Sequence, residues 1–348
     1  MIERVSSHAP PLQLRDTAIS LQRALARANG EVSSGRRYDL AEALGADLGR
    51  NEQSRVRQAA LDALNAQDDV AGARVDTIST TLAHLRAGLG DLRDQLVAAA
   101  HAPQARDGVI EAANRLLGSF TSAMGQDLAG VALFGGQTLD APAVASYDPT
   151  RASGPAASVA SAFQAAFGMT QDDPAAGTIT ASAMTSFLKG AFAQEFQQPA
   201  WSANWSRATD GDFRSRIAPG ETAPTTVSAN EGALRDIARI AVMTSDLALG
   251  KLNDATFSAL ATHAGSLATA AIDATTKIEA RMGVSKQRIT DAQAAMSATH
   301  DLLARQIGAQ EDVDPTEAAT RVNDLTTRLE ATFAITARMR DLSLLKYL

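Results

Sequence analysis

The sequence predicts a mainly α-helical protein in which both chain ends form a long antiparallel helical bundle or coiled coil, with a small mixed α/β insert between them. Apolar residues recur at alternating steps of three and four near both ends. Hydrophobic residues make up 45% of the chain but aromatic residues only 4%, so the small side chains suit close contact between helices. The middle of the chain differs, because it is richer in Pro, Gly, Ser and Thr and holds both tryptophans.

The first helix is predicted from a short apolar seam near the N-terminus. Its members are Leu14, Ala18, Leu21, Leu25, Ala28 and Val32. The turn Ser33-Ser34-Gly35-Arg36-Arg37 follows this helix and separates it from the next one. We expect Gly35 to adopt the left-handed conformation that ends a helix. Arg36 and Arg37 would then face solvent or the carboxylates of a neighbouring copy.

A longer seam predicts a second, extended helix. Its unbroken part consists of Val75, Ile78, Leu82, Leu85, Leu89, Leu92 and Leu96. Asp68 falls on a seam position ahead of this run, where a charge should loosen the packing or set the register. A further helix is expected from Arg106 to about Gln126.

The C-terminal third repeats the pattern. Ile278, Met282, Ile289, Ala292, Met296 and Leu303 keep heptad spacing. A last helix is expected to begin with Asp314 as its N-cap, Pro315 at its first position and Glu317 three residues after the cap. Its apolar positions, which continue toward the last residue, include Val322, Leu325, Leu329, Phe333, Met339 and Leu342.

The insert is predicted to mix short helices and strands. The segments Gly-Thr-Ile-Thr-Ala-Ser (177–182) and Pro-Thr-Thr-Val-Ser-Ala (224–229) have strand-like composition, whereas 158–167 and 185–196 read as short helices. Ser228 to Glu231 has the spacing of a capping box and is expected to restart the long helices.

These segments predict three domains. Residues 1–35 and 310–348 form a terminal helix pair, 36–139 and 231–309 form a helical rod, and 140–230 form the outer insert.

Composition excludes several functions. The net charge is −7 and no basic stripe stands out, which argues against nucleic-acid binding. The sequence contains no run of 18 apolar residues, so a membrane-spanning helix is not predicted. The chain has no cysteine, and its five histidines lack metal-ligand spacing, so we do not expect a zinc site.

An enzymatic function is a weaker alternative interpretation of the sequence. Ser186-Phe187-Leu188-Lys189 has the S-x-x-K spacing of an acylating serine, and Ser228-Ala229-Asn230 resembles a second motif of such enzymes, but a K-T-G motif is absent. The same spacing recurs at Ser343–Lys346, so the pattern is not specific. Neighbouring carboxylates at 68–69 and 172–173 are interpreted as solvated charges rather than as a general acid/base pair.

Two other motifs have both a structural and a functional interpretation. The Gly pair in Leu133–Thr138 fits a turn better than a nucleotide-binding loop. Trp201 and Trp205 are either a docking patch for sugars or, as we favour, anchors of the insert's core. The chain is therefore not expected to be an enzyme.

The terminal seams also allow two interpretations. An ordinary antiparallel bundle needs no partner. However, the seams continue almost to both ends, and the last residues, Asp-Leu-Ser-Leu-Leu-Lys-Tyr-Leu, lack a polar cap. Because an exposed apolar stripe favours association, we expect the terminal helices to pair with each other and with other copies of the chain.

Three segments resemble the bacterial flagellin family, and within it the hook–filament junction proteins (hook-associated protein 3 type). Residues 25–45, with their Ser-Ser-Gly-Arg-Arg turn, are similar to the family's N-terminal signature. Residues 130–144, with Phe134-Gly135-Gly136, are similar to the junction proteins' segment before the outer domain. Residues 311–348 are similar to the shared C-terminal helix.

The resemblance implies a self-assembling structural subunit of the bacterial flagellum, acting as a junction adaptor or as a filament flagellin. It implies extracellular localisation after export without a cleaved signal peptide. Implied partners are other copies, hook-associated neighbours, flagellin and an export chaperone at the C-terminal helix, with no cofactor. Residues expected at contacts between copies are Leu14, Leu21, Leu25, Val32, Val322, Leu325, Leu329, Phe333, Met339, Leu342 and Leu345.

Overall fold

The computed structural model describes residues 9–148, 150 and 153–341, and it confirms a mainly α-helical fold with a small insert. The α-helices within these ranges are α1 (Ala9–Ser34), α2 (Leu40–Leu44), α3 (Leu48–His101), α4 (Arg106–Met124), α5 (Gly154–Phe167), α6 (Ala181–Lys189), α7 (Ala191–Glu195), α8 (Ala200–Asn204), α9 (Gly232–Ser245), α10 (Asp254–Glu311) and α11 (Pro315–Asp341). Two antiparallel ribbons pair β1 (Asp127–Leu128) with β2 (Val131–Ala132), and β3 (Arg214–Ala218) with β4 (Glu221–Pro224).

The contacts divide the chain into two compact units. Unit 1 consists of the described residues of Met1–Asp62 and Ser297–Leu348, and unit 2 of those of Ala63–Met296. The helices α3 and α10 contribute residues to both. The three-domain division expected from the sequence stays a prediction.

In unit 1 the two ends of the chain pair lengthwise, as α1 packs along α11. The pair is antiparallel, because the end of α1 meets the start of α11, where the Val313 N–H donates to the Gly35 carbonyl at 3.0 Å. Among the described side chains of these two helices, the buried apolar ones are Ala28 and Ala318. The pair therefore makes close contact through small residues and encloses no large apolar core.

The start of α11 follows the predicted capping chemistry. The Asp314 carboxylate accepts hydrogen bonds from the backbone N–H groups of Thr316 at 2.7 Å and Glu317 at 3.3 Å. Pro315 occupies the first helical position, where a missing N–H costs nothing.

In unit 2 the long seam forms the centre of the core. The seam residues from Val75 to Leu96 are at most 2% exposed. The facing part of α10 runs antiparallel, because Lys286 Nζ lies 2.6 Å from Asp76 and Arg86 Nε lies 3.0 Å from Glu279. The unbroken heptad spacing thus predicted the buried face of α3 correctly.

The insert packs around a chain of aromatic rings in unit 2. Trp201 and Trp205 are stacked with ring centroids 5.3 Å apart, and both are buried. Trp201 Nε1 donates to the Asn230 side chain at 2.9 Å, and Phe196 lies against both tryptophans. The tryptophans are therefore core anchors and not an exposed docking patch.

Two expectations about the insert are wrong. Residues 177–182 form no strand, because Thr180 caps α6 by accepting from the Ala183 N–H at 3.3 Å. The helix expected to restart at Ser228 begins only at Gly232, and its N-cap residue, Glu231, makes no side-chain capping bond. Ser228 Oγ instead donates to the Thr209 carbonyl at 2.5 Å.

The second expected strand, 224–229, is an extended segment that pairs with the Gly-Gly turn. The N–H groups of Val227 and Ala229 donate to the carbonyls of Leu133 and Phe134 at 3.0 and 2.8 Å. A Cβ at Gly135 would lie 2.0 Å from the Thr138 carbonyl oxygen. Glycine is therefore required by the close approach of the backbone, which explains the motif without a bound ligand.

Asp68 is buried on the α3 seam. Its carboxylate is inaccessible to solvent, and neither oxygen has a hydrogen-bond partner. Burial, and to a smaller extent the charge of Asp69, raises the pKa of Asp68 to about 6. The expectation that this carboxylate is solvated is wrong, whereas the exposed Asp69 matches it.

We predict that Asp68→Asn stabilises the chain in a pH-dependent way. Because the folded-state pKa of Asp68 is raised, the protein loses stability as pH rises from about 4 to about 6, and the loss persists above that range. Denaturant unfolding of Asp68→Asn should show a free energy of unfolding larger by up to about 3 kcal/mol at pH 8. At pH 4 the gain should nearly vanish.

Asp91→Asn is the matched control, because Asp91 is an exposed acid on the same helix. Its unfolding free energy should follow that of the unmodified chain within about 0.5 kcal/mol at both pH values. A gain for Asp68→Asn that is equal at pH 4 and pH 8 would contradict the assigned burial of charge.

Candidate assembly surface

The predicted turn forms the corner at which α1 ends. Gly35 has φ +69°, and its N–H donates to the Glu31 carbonyl at 2.9 Å. This is the left-handed helix ending that favours glycine. Ser34 Oγ accepts from the Arg36 N–H at 3.2 Å, so the preceding serine supports the same turn.

The corner is joined to the end of α10 by a short backbone bridge. Arg36 pairs with Asp312 in antiparallel fashion. The Arg37 N–H donates to the Glu311 carbonyl at 2.8 Å, and the Val313 N–H returns a bond to Gly35. Two segments separated by about 270 residues are thereby held in register within unit 1.

A buried carboxylate lies under this bridge. The Glu311 side chain is 1% exposed, and Arg55 donates to it through Nε at 2.7 Å and Nη2 at 2.5 Å. Arg36 Nη1 lies 3.6 Å from the same carboxylate. These partners hold the pKa of Glu311 below its ordinary value, the Arg55 hydrogen bonds being the main cause. Arg36 therefore has a partner in its own chain.

The structure separates the predicted interface residues into two groups. The first group lies on the paired helices α1 and α11 and is half-buried. It consists of Leu14, Leu21, Leu25, Val322, Leu325 and Leu329. Val32, Phe333 and Met339 are exposed by 39 to 49%. Leu342 and Leu345 lie outside the described residues.

Exposed apolar side chains concentrate in unit 1. It contains less than a third of the described residues but nine of their twelve exposed large apolar side chains. These nine are Leu12, Ile19, Val32, Tyr38, Val56, Leu302, Phe333, Ile335 and Met339. Such a concentration is typical of a surface that associates with another protein.

Sequence reasoning missed six of these nine residues. It followed the heptad seam, which selects the residues that face the paired helix. Ile19 and Ile335 lie next to that seam rather than on it, and Tyr38 belongs to the turn. A search for apolar residues off the seam would have found the first two.

Alternative sites receive little support from the described residues. Ser186 and Lys189 are exposed on α6, while the side chains of Ser228 and Asn230 make hydrogen bonds inside the insert. Across the described ranges, no cluster of three or more His, Asp or Glu side chains is placed to hold a metal ion. No described helix combines the length and apolar character that membrane crossing requires.

We predict that Glu311→Gln loosens the corner. The variant removes the counter-charge of Arg55, whose side chain is 39% exposed, so water offsets part of the loss and the cost is about 1–2 kcal/mol. Hydrogen exchange at the amides of Arg37 and Val313 should accelerate on the order of tenfold at pH 7.

Glu317→Gln is the control, because Glu317 forms an exposed pair with Arg321 on α11 at 2.7 Å. It should change exchange at the same amides by less than about fivefold. Since the folded-state pKa of Glu311 is lowered, its contribution is present above the unfolded value and is lost as pH falls. Equal exchange in both variants would exclude a stabilising role for Glu311.

Comparisons with known proteins identify both ends of the chain. Residues 5–139 match the family model of the bacterial flagellin N-terminal helical region, and residues 266–348 match that of the bacterial flagellin C-terminal helical region. Together the matches cover well over half of the chain. A search of curated proteins found no match. The chain therefore belongs to the bacterial flagellin family, a structural and non-enzymatic family whose members self-assemble into flagellar polymers outside the cell.

Proposed function

We propose that this chain is the adaptor at the junction between hook and filament and that it assembles through its terminal helices. The supporting observation is the concentration of exposed apolar side chains on unit 1. Burying the exposed part of one such side chain between copies would contribute about 1 kcal/mol, because each is already partly covered within its own chain. Several of them per copy supply enough free energy to drive association of otherwise stable subunits.

The junction role is supported by the segment before the insert. Phe134 is buried, and Gly135 and Gly136 allow the tight turn that the following residues need. The sequence of this segment resembles that of junction proteins. The alternative is a filament subunit, because the family descriptions that match the two ends fit either role.

The same apolar surface suggests three further partners. Phe333, Ile335 and Met339 on α11 are exposed, so this helix needs cover before assembly. We assign that cover to an export chaperone. In the assembled state, hook-associated proteins and flagellin would lie on the two sides of a ring of these chains.

Position in the flagellum distinguishes adaptor from filament subunit. The chain has no cysteine, so Ala165→Cys, on an exposed position of α5, allows specific labelling with a maleimide dye. We expect a single spot at the base of each filament. Label along the whole filament would instead identify the chain as the filament subunit.

We predict that deleting residues 334–348 leaves a soluble, largely helical monomer that no longer enters the flagellum. The deletion removes apolar side chains of α11 that the described structure leaves exposed, while the core of unit 2 is untouched. Circular dichroism reports the helices, and fluorescence of the labelled chain reports incorporation.

Phe333→Asp and Val97→Asp form a matched pair for the same question. Both side chains are about half exposed, but Phe333 lies in unit 1 and Val97 in unit 2. Phe333→Asp should reduce incorporation and Val97→Asp should not. Normal filaments from the truncated chain would refute assembly through the terminal helices.

A further inference from the structure

A groove opens in unit 1 beside the corner. It lies between the end of α1, the segment at Tyr38 and the start of α11, and it encloses a volume of about 510 Å³. Its floor includes the buried alanines Ala28 and Ala318, and Leu325 lies farther along it. Tyr38, 62% exposed, forms part of its wall. Small residues below and an exposed aromatic ring at the side leave room for apolar side chains of a partner.

The rim of the groove is acidic. Seven carboxylates and three arginines line it, which gives a net charge of −4. Two of the arginines are already paired with rim acids, since Arg27 lies 3.7 Å from Glu42 and Arg321 lies 2.7 Å from Glu317. The groove therefore favours an apolar segment that carries positive charge.

The chain contains a segment with that chemistry. Residues 342–348, which lie outside the described residues, read Leu-Ser-Leu-Leu-Lys-Tyr-Leu. Four of the seven are leucines, and Lys346 is the one charged side chain among them. With Arg338, Arg340 and Asp341 just before it, the stretch 338–348 has a net charge of +2.

A chain cannot place this segment in its own groove. From the groove at Arg321, α11 continues for 20 residues to Asp341, which is about 30 Å at 1.5 Å per residue. The seven residues that follow span at most about 25 Å when fully extended. Even folded straight back along α11, they would not reach the middle of the groove, so an occupant of this sequence must come from another copy.

We propose that the corner groove of one copy binds residues 342–348 of a second copy. This inference rests on the proposed self-assembly and specifies one of its contacts. The leucines pack on Ala28, Ala318 and the ring of Tyr38, while Lys346 lies near the acidic rim. The sequence predicts that Leu342 and Leu345 are interface residues, and the proposed contact assigns them a partner surface.

The contact has a consequence for assembly. Groove and segment are different surfaces at opposite ends of the α1–α11 pair, so the interface is heterologous. Each copy that offers its segment to one neighbour keeps its groove free for another. Such contacts continue from copy to copy into rings or rows and do not stop at a dimer.

Crosslinking tests the contact directly, because the natural chain has no cysteine. A full-length chain with Ala43→Cys, an exposed residue of the groove lining, is mixed with an affinity-tagged full-length chain with Ser343→Cys, so that the packing residues stay in place. A short bismaleimide crosslinker is added under conditions where the chains associate. We expect a covalent heterodimer, and a ladder of oligomers from the chain that carries both substitutions.

Controls separate a specific contact from random collision. Val97→Cys, exposed in unit 2, replaces Ala43→Cys and should abolish the heterodimer band. Lys346→Glu in the tagged chain should weaken the band, because it adds negative charge opposite an acidic rim, and Lys346→Arg should restore it.

The outcomes distinguish this inference from the proposed function. Chains that sediment as polymers but give no heterodimer would overturn the groove contact and leave self-assembly intact. A doubly substituted chain that crosslinks within itself at high dilution would also overturn it. Chains that do not associate at any concentration would refute the proposed self-assembly itself, and the groove contact with it.

Discussion

The lengthwise contact between α1 and α11 is the constraint on which the rest of unit 1 depends. Its buried apolar side chains are small, and Ala28 and Ala318 lie near the corner end of the pair. The backbone bridge at the corner, above the Glu311–Arg55 ion pair, fixes where the two helices meet. Because small residues allow close approach but bury little area, the pair is aligned without being enclosed. The seam leucines are only half-buried, and Val32, Phe333 and Met339 remain exposed.

Unit 2 has the opposite character. The seam of α3, the facing part of α10 and the aromatic residues of the insert form one continuous buried core. Such a core does not need a neighbour in order to fold. Unit 2 is therefore suited to be the stable part of the subunit, and under the proposed assembly unit 1 would gain much of its stabilisation when copies meet. The buried Asp68 is an exception in unit 2, because its charge opposes the packing of the helix that carries it.

The sequence predicted those features that depend on local spacing. Heptad periodicity located the buried face from Val75 to Leu96, and capping chemistry located the start of α11 at Pro315. Prediction failed in two different ways, because a contact 19 residues away took over Ser228 and because strand-like composition concealed a local helix cap at Thr180. Ser228 is used to hold the Thr209 carbonyl and not to cap a helix, and Thr180 caps α6 where a strand was expected.

In the candidate site, too, locally determined features were predictable from the sequence and long-range contacts were not. The left-handed Gly35 was predictable because a single residue type accounts for the turn. The Glu311–Arg55 pair joins residues 256 apart, so no local pattern indicates it. The exposed positions Ile19 and Ile335 were missed for a related reason. A seam describes which residues face the paired helix, whereas the surface offered to other copies is what the pairing leaves uncovered.

Solvent accessibility in the assembled state is the most direct test of the central claim. Hydroxyl-radical footprinting of monomer and polymer, read by mass spectrometry, reports the exposure of individual side chains. If the uncovered face of the paired ends is a contact between copies, then Val32, Phe333 and Met339 lose reactivity on assembly, while Val97 and Val284 keep theirs. Unchanged reactivity of the first three in intact polymers, with protection confined to unit 2, would contradict the account.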